Sequence, residues 1–72
     1  MQVEIFKTNI DNSRNANVVT GLVHLNFPTV SASVDLYDIE HVLRVESEVD
    51  QINENELVEF VSNLGFQIQP II

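Results

Sequence analysis

Polar and apolar positions along the chain switch between two periods. Val3 and Ile5 alternate with Glu4 and Phe6 and run into Lys7-Thr8-Asn9, the period-two pattern of a strand over about residues 2–9. Asp11-Asn12-Ser13 follows, and short polar side chains of this kind accept from the free amides of a helix's first turn. Val18, Val19, Leu22 and Leu25 then recur at helical spacing, with Asn17, Thr20 and His24 on other faces. They predict the apolar stripe of a first helix. Gly21 weakens the interior of that helix by up to about 1 kcal/mol relative to alanine. It either permits close approach to a sheet or is simply tolerated.

Phe27-Pro28-Thr29 ends the helix, because the residue before a proline disfavours helical angles. Val30, Ala32, Val34 and Leu36 alternate with Ser31, Ser33 and Asp35, a half-buried strand with one wet face. Tyr37-Asp38-Ile39-Glu40 has the length and polarity of a hairpin connection. Leu43 and Val45 alternate with Val42, Arg44 and Glu46 in a third strand. Glu48-Val49-Asp50-Gln51 reads as a loop, and Asn53 followed by Glu56 is a capping-box pattern. Leu57, Phe60, Val61 and Leu64 give the second helix its stripe, and Glu54 and Glu56 sit where the helix dipole favours negative charge. Gly65 suits a left-handed terminator. Phe66 and Ile68 alternate with Gln67 and Gln69 in a last strand, which Pro70 assigns to a sheet edge because it removes a ladder donor.

The order is β-α-β-β-α-β. Right-handed crossovers in each half and a central hairpin predict an α+β, ferredoxin-like sandwich: a four-stranded antiparallel sheet in the order 4-1-3-2 with both helices on one face. Its length of 72 residues leaves room for one domain, over residues 1–72. A domain this small buries only about 60% of its unfolded surface, so its core must be simple.

Charge narrows the partners. Eleven acids against three bases give a net charge of −8, which repels phosphate backbones and makes nucleic acid and anionic membranes poor partners. Nine of the eleven acids lie between Asp35 and Glu59, where Arg44 is the only base. That stretch is either a solvated face or an acidic docking surface for a protein with a basic surface. No apolar run reaches the roughly 20 residues of a membrane helix, and the start of the chain has no basic-then-apolar signal pattern. The expected location is cytoplasmic. Cysteine is absent, which excludes disulfides, thiolate metal sites and a cysteine nucleophile.

With this order and length, the chain resembles the heavy-metal-associated domains, the family of small copper chaperones and of amino-terminal modules on metal-pumping ATPases. The similarity extends over nearly the whole chain. Its local marks are Phe6-Lys7-Thr8-Asn9-Ile10, Val34-Asp35-Leu36, Val42-Leu43-Arg44-Val45-Glu46 and Leu64-Gly65-Phe66. The family's first loop carries a Met-Thr-Cys-x-x-Cys-like motif that holds Cu(I) or a similar soft ion. Along the strand end, Ile10 takes the methionine position, and Asn12 and Asn15 take the two cysteine positions, with Ser13 and Arg14 between them. Soft cations prefer sulfur, whereas asparagine offers harder and weaker donors and Arg14 repels a cation. The chain thus resembles a degenerate member whose departure from the motif predicts no bound cofactor, the alternative being a divalent or Cu(I) ion held by other ligands.

Other chemistry is sparse. His24 and His41, with Asp38 and Glu40, are the remaining candidate transition-metal ligands, and the Asp38, Glu40, His41 cluster in the hairpin is suited at most to a weakly held divalent ion. Turn chemistry explains the same residues. No carboxylate pair has a spacing that predicts a shifted pKa, neither histidine sits in a nucleophile arrangement, and two glycines exclude a glycine-rich phosphate loop. No enzyme is expected. Arg14 and the first-turn amides either hold a small anion or serve only as cap and solvated charge. The second and fourth strands expose backbone edges, so the chain is expected as a monomer or an edge-strand homodimer, with Ile71-Ile72 marking the fourth strand as the stronger contact. The sequence reading is thus a non-enzymatic binding module; the alternative is a metal carrier in metal homeostasis that uses non-cysteine ligands.

Overall fold

In the computed structural model, described for residues 2–49 and 51–71, six elements follow in the expected order. They are β1 (Gln2–Thr8), α1 (Ser13–Asn26), β2 (Val30–Asp35), β3 (Val42–Ser47), α2 (Glu54–Asn63) and β4 (Ile68–Pro70). The strands form one antiparallel sheet in the order β2-β3-β1-β4, with β2 and β4 at its edges. This is the ferredoxin-like arrangement that the sequence pattern predicts. Asp50 of the β3–α2 loop and Ile72 of the apolar tail lie outside the described residues. Among the described residues no helix is long and apolar enough to cross a membrane.

Register fixes the core. Phe6 stands opposite Leu43 on one side and Pro70 on the other, and Val34 and Ala32 of β2 face Leu43 and Val45. Phe6, Leu43 and Val45 are fully buried with Val19, Val23, Leu57 and Val61 of the helices and with Ile10 from the loop after β1. Both helices thus cover one face of the sheet. In β1 the alternation favours Phe6 and Thr8 for that face, and Ile5 is left 40% exposed.

Helix α1 departs from the predicted stripe. Ala16, Val19 and Val23 are buried, while Val18 is 50% and Leu25 79% exposed. At roughly 100° per residue, Ala16, Val19, Thr20, Val23 and the exit residue Phe27 share one face; of the expected stripe of Val18, Val19, Leu22 and Leu25, Val19 lies on that face and the other three are centred about 150° away. Phe27 packs against the core cluster and so pins the rotation of the helix. Thr20 fits beside that face because its hydroxyl donates to the Ala16 carbonyl at 2.9 Å. Gly21 is exposed with open space around its Cβ position, so it is a tolerated residue and not a close approach to the sheet.

The remaining punctuation holds. Gly65 has φ +102 just past α2, and Pro70 sits in the edge strand β4. β4 begins at Ile68, so Phe66 belongs to the connection before it and not to the strand. Ile71 extends the pairing by donating to the Ile5 carbonyl at 2.9 Å.

Candidate functional site

The first candidate is the turn between β1 and α1. Its anchor is Ile10, fully buried, with Thr8 and Asn9 tying its start to neighbouring connections. The Thr8 hydroxyl donates to the His41 carbonyl at 2.6 Å and accepts from the Ile10 amide at 3.2 Å. The Thr8 amide donates to the Glu40 carbonyl at 3.1 Å. Asn9 is bonded reciprocally to Gln67: the Gln67 amide donates to Asn9 Oδ1 at 2.9 Å, and the Asn9 amide donates to the Gln67 carbonyl at 3.3 Å. One strand end thus fastens the β2–β3 hairpin and the α2–β4 connection.

In this turn Asn12 has a structural role. Asn12 is the N-cap of α1, with extended backbone angles, and its Oδ1 accepts from the Asn15 amide at 2.8 Å. Its Nδ2 donates to Asp11 Oδ1 at 3.1 Å. Capping by asparagine stabilises a helix by about 1 kcal/mol relative to alanine. Arg14 is exposed within the same turn. A carboxamide already committed to a backbone amide, next to a guanidinium, is a donor set that does not suit a soft cation.

The hairpin cluster is engaged in the same way. Asp38 Oδ1 accepts from the Glu40 amide at 2.8 Å, the His41 amide donates to the Asp38 carbonyl at 3.0 Å, and Glu40 approaches Lys7 Nζ at 3.8 Å. His41 takes the left-handed φ of +46 that closes the turn, and its Nδ1 is buried without a hydrogen-bond partner. His24 stands elsewhere, in the last turn of α1, where its Nε2 accepts from the Ala32 amide of β2 at 2.9 Å. Among the described residues, no three histidine, aspartate or glutamate side chains gather as a metal-holding group.

A third feature was not singled out from the sequence. The end of α1, the α1–β2 connection and the approach to α2 enclose a cleft of about 560 Å³. Its lining includes Phe27, Val30, Val45, Ile52 and Leu57, with Asn26 and Asn53 at the border. A second hollow of about 540 Å³ shares Asn26, Phe27 and Asn53 and continues along α2 past Glu56, Glu59 and Phe60. Phe27 and Phe60 meet edge to face, with centroids 5.4 Å apart and an 84° interplanar angle. Asn53 shapes the border because it caps α2, its Oδ1 accepting from the Glu56 amide at 3.0 Å. None of Lys7, Arg14 and Arg44 lines either hollow. The available signal was Phe27 itself: an aromatic residue directly before a proline at a helix exit is a wall as well as a stop.

Comparison with protein-family models, curated proteins and solved structures returns no match to this chain.

Proposed function

We propose that the chain is a non-enzymatic cytoplasmic binding module of heavy-metal-associated type whose first loop no longer holds a soft ion, and which engages a protein partner with a basic surface. The observation that carries this reading is the use of Asn12. Its side chain spans Asp11 and the Asn15 amide, so the residue that the resemblance puts at the first cysteine position closes the loop on itself and caps the helix. The side chains left in that turn, those of Asp11, Ser13 and Asn15, are oxygen and amide donors, harder than two thiolates. The charge supports the second half of the proposal: from Val45 to Ile72 the chain has six acids and no lysine or arginine. A surface of that sign attracts cationic partners and repels phosphate.

A second reading rests on His41. Its unpartnered Nδ1, beside Asp38 and Glu40 in the hairpin, favours a carrier that takes a divalent ion through non-cysteine ligands. Both carboxylates already serve the turn or Lys7, which places this reading second. Calorimetric titration with Cu(I), Zn(II) and Ni(II) separates the two. The binding-module reading expects no tight binding of any of the three. Tight binding that disappears in His41→Ala would replace it with the carrier.

A further inference from the structure

The two hollows that meet at Phe27 and Asn53 form one groove with two characters. At one end the partly exposed Phe27, Val30 and Ile52 stand around a floor formed by the buried Val45 and Leu57. At the other, Glu56 and Glu59 stand exposed one turn apart on α2, beside Phe60. We infer that this groove is a docking site for a basic peptide segment of another protein, one apolar side chain filling the aliphatic end and flanking lysines or arginines meeting Glu56 and Glu59. The inference rests on the binding-module reading and adds to it the place and the chemistry of the partner.

Shape and charge select this occupant. The aliphatic hollow, at about 560 Å³, is within the range of pockets that bury a ligand group or an anchoring side chain. Anchors seated in such pockets carry most of the energy of an interface, while charges at its rim set rate and specificity. Glu56 and Glu59 have no ion-pair partner within the described residues, whereas Glu40 and Glu46 are paired with Lys7 and Arg44. A second copy of the chain carries the same −8 charge and would bring acid against acid. Nucleic acid and anionic lipid are repelled for the same reason.

The test uses the whole protein and a synthetic peptide with one leucine between runs of lysine. Two controls replace the leucine by serine or the lysines by glutamates. Amide chemical shifts of the labelled protein are followed by NMR, and affinity is taken from the same titration. The expected shifts concentrate at Asn26, Phe27, Ile52, Asn53, Glu56 and Glu59. The serine control and the variant Glu56→Gln/Glu59→Gln are each expected to bind about tenfold more weakly, a difference of ~1.4 kcal/mol. The glutamate control is expected not to bind, and added salt weakens the lysine peptide. Shifts centred on the Tyr37–His41 hairpin or on the Asn12–Asn15 turn would overturn the groove while leaving a binding module in place. Equal binding of the leucine and serine peptides, self-association in place of peptide binding, or no shift at all would also overturn it. The metal titration above decides the underlying reading separately.

Discussion

His24 reaches from the last turn of α1 to the edge of the sheet, where its Nε2 accepts the Ala32 amide hydrogen at 2.9 Å. β2 pairs only with β3, so this amide is on the open side of an edge strand. At that edge an unpaired amide invites another strand. A helix side chain therefore does what a fifth strand would otherwise do, and the residue read from sequence as a candidate ligand serves as an edge cover.

Removing that cover has a measurable consequence. His24→Ala is expected to lower stability by about 0.5–1.5 kcal/mol, the net worth of one hydrogen bond. Hydrogen exchange at Ala32 should accelerate relative to its neighbours in β2. Unchanged exchange at Ala32 would mean that the imidazole does not cover the edge in solution.

Thr8 links two connections through one hydroxyl, donating to His41 and accepting from Ile10. Thr8→Val keeps the shape and removes both bonds, leaving the buried Ile10 amide without this acceptor. The expected loss is about 1–3 kcal/mol in chemical denaturation, the cost of stranding a buried polar group. Thr8→Ser, which retains the hydroxyl, should recover much of it.

The two glycines are predicted to respond in opposite directions. Gly65 has φ +102, a conformation that L side chains rarely adopt, so Gly65→Ala is expected to destabilise by roughly 1–2 kcal/mol. Gly21 is in an exposed stretch of α1 with nothing near its Cβ position, and Gly21→Ala should stabilise by about 0.5–1 kcal/mol. Paired thermal melts of the two variants check both signs.

Much of the architecture was legible from period and punctuation. Element order, sheet order, a cap within Asp11-Asn12-Ser13 that the structure assigns to Asn12, the cap at Asn53, the terminator Gly65 and the edge position of Pro70 all follow from local chemistry that the fold respects. The rotation of α1 was not legible, because this helix has a second apolar stripe. The spacing groups Val18, Val19, Leu22 and Leu25, yet Ala16 and Val23 align with Val19 and with Phe27, which packs against the core on that phase. The groove was hidden for a related reason: its walls come from the end of α1 and the start of α2, far apart in sequence, and only the crossovers bring Phe27 to Phe60. At the first turn, the pattern places the change from strand to helix, and the structure adds what Asn12 does there.

The loop also bears on stability. Asn12→Ala should cost about 1 kcal/mol by loss of the cap, while Asn12→Asp, which keeps the acceptor and adds charge at the helix start, should cost little. Equal losses in the two variants, measured by urea unfolding, would show that capping is not what Asn12 contributes.

The most direct test of the whole account is a Cu(I) titration, against a competing chelator, of the natural chain beside Asn12→Cys/Asn15→Cys. The natural chain is predicted to leave the metal with the chelator, and the double variant to take it, since two thiolates introduced into this turn supply the soft donors that the carboxamides lack. Tight Cu(I) binding by the natural chain would contradict the account at its centre, and a double variant that still fails to bind would remove the alignment of Asn12 and Asn15 with the metal loop.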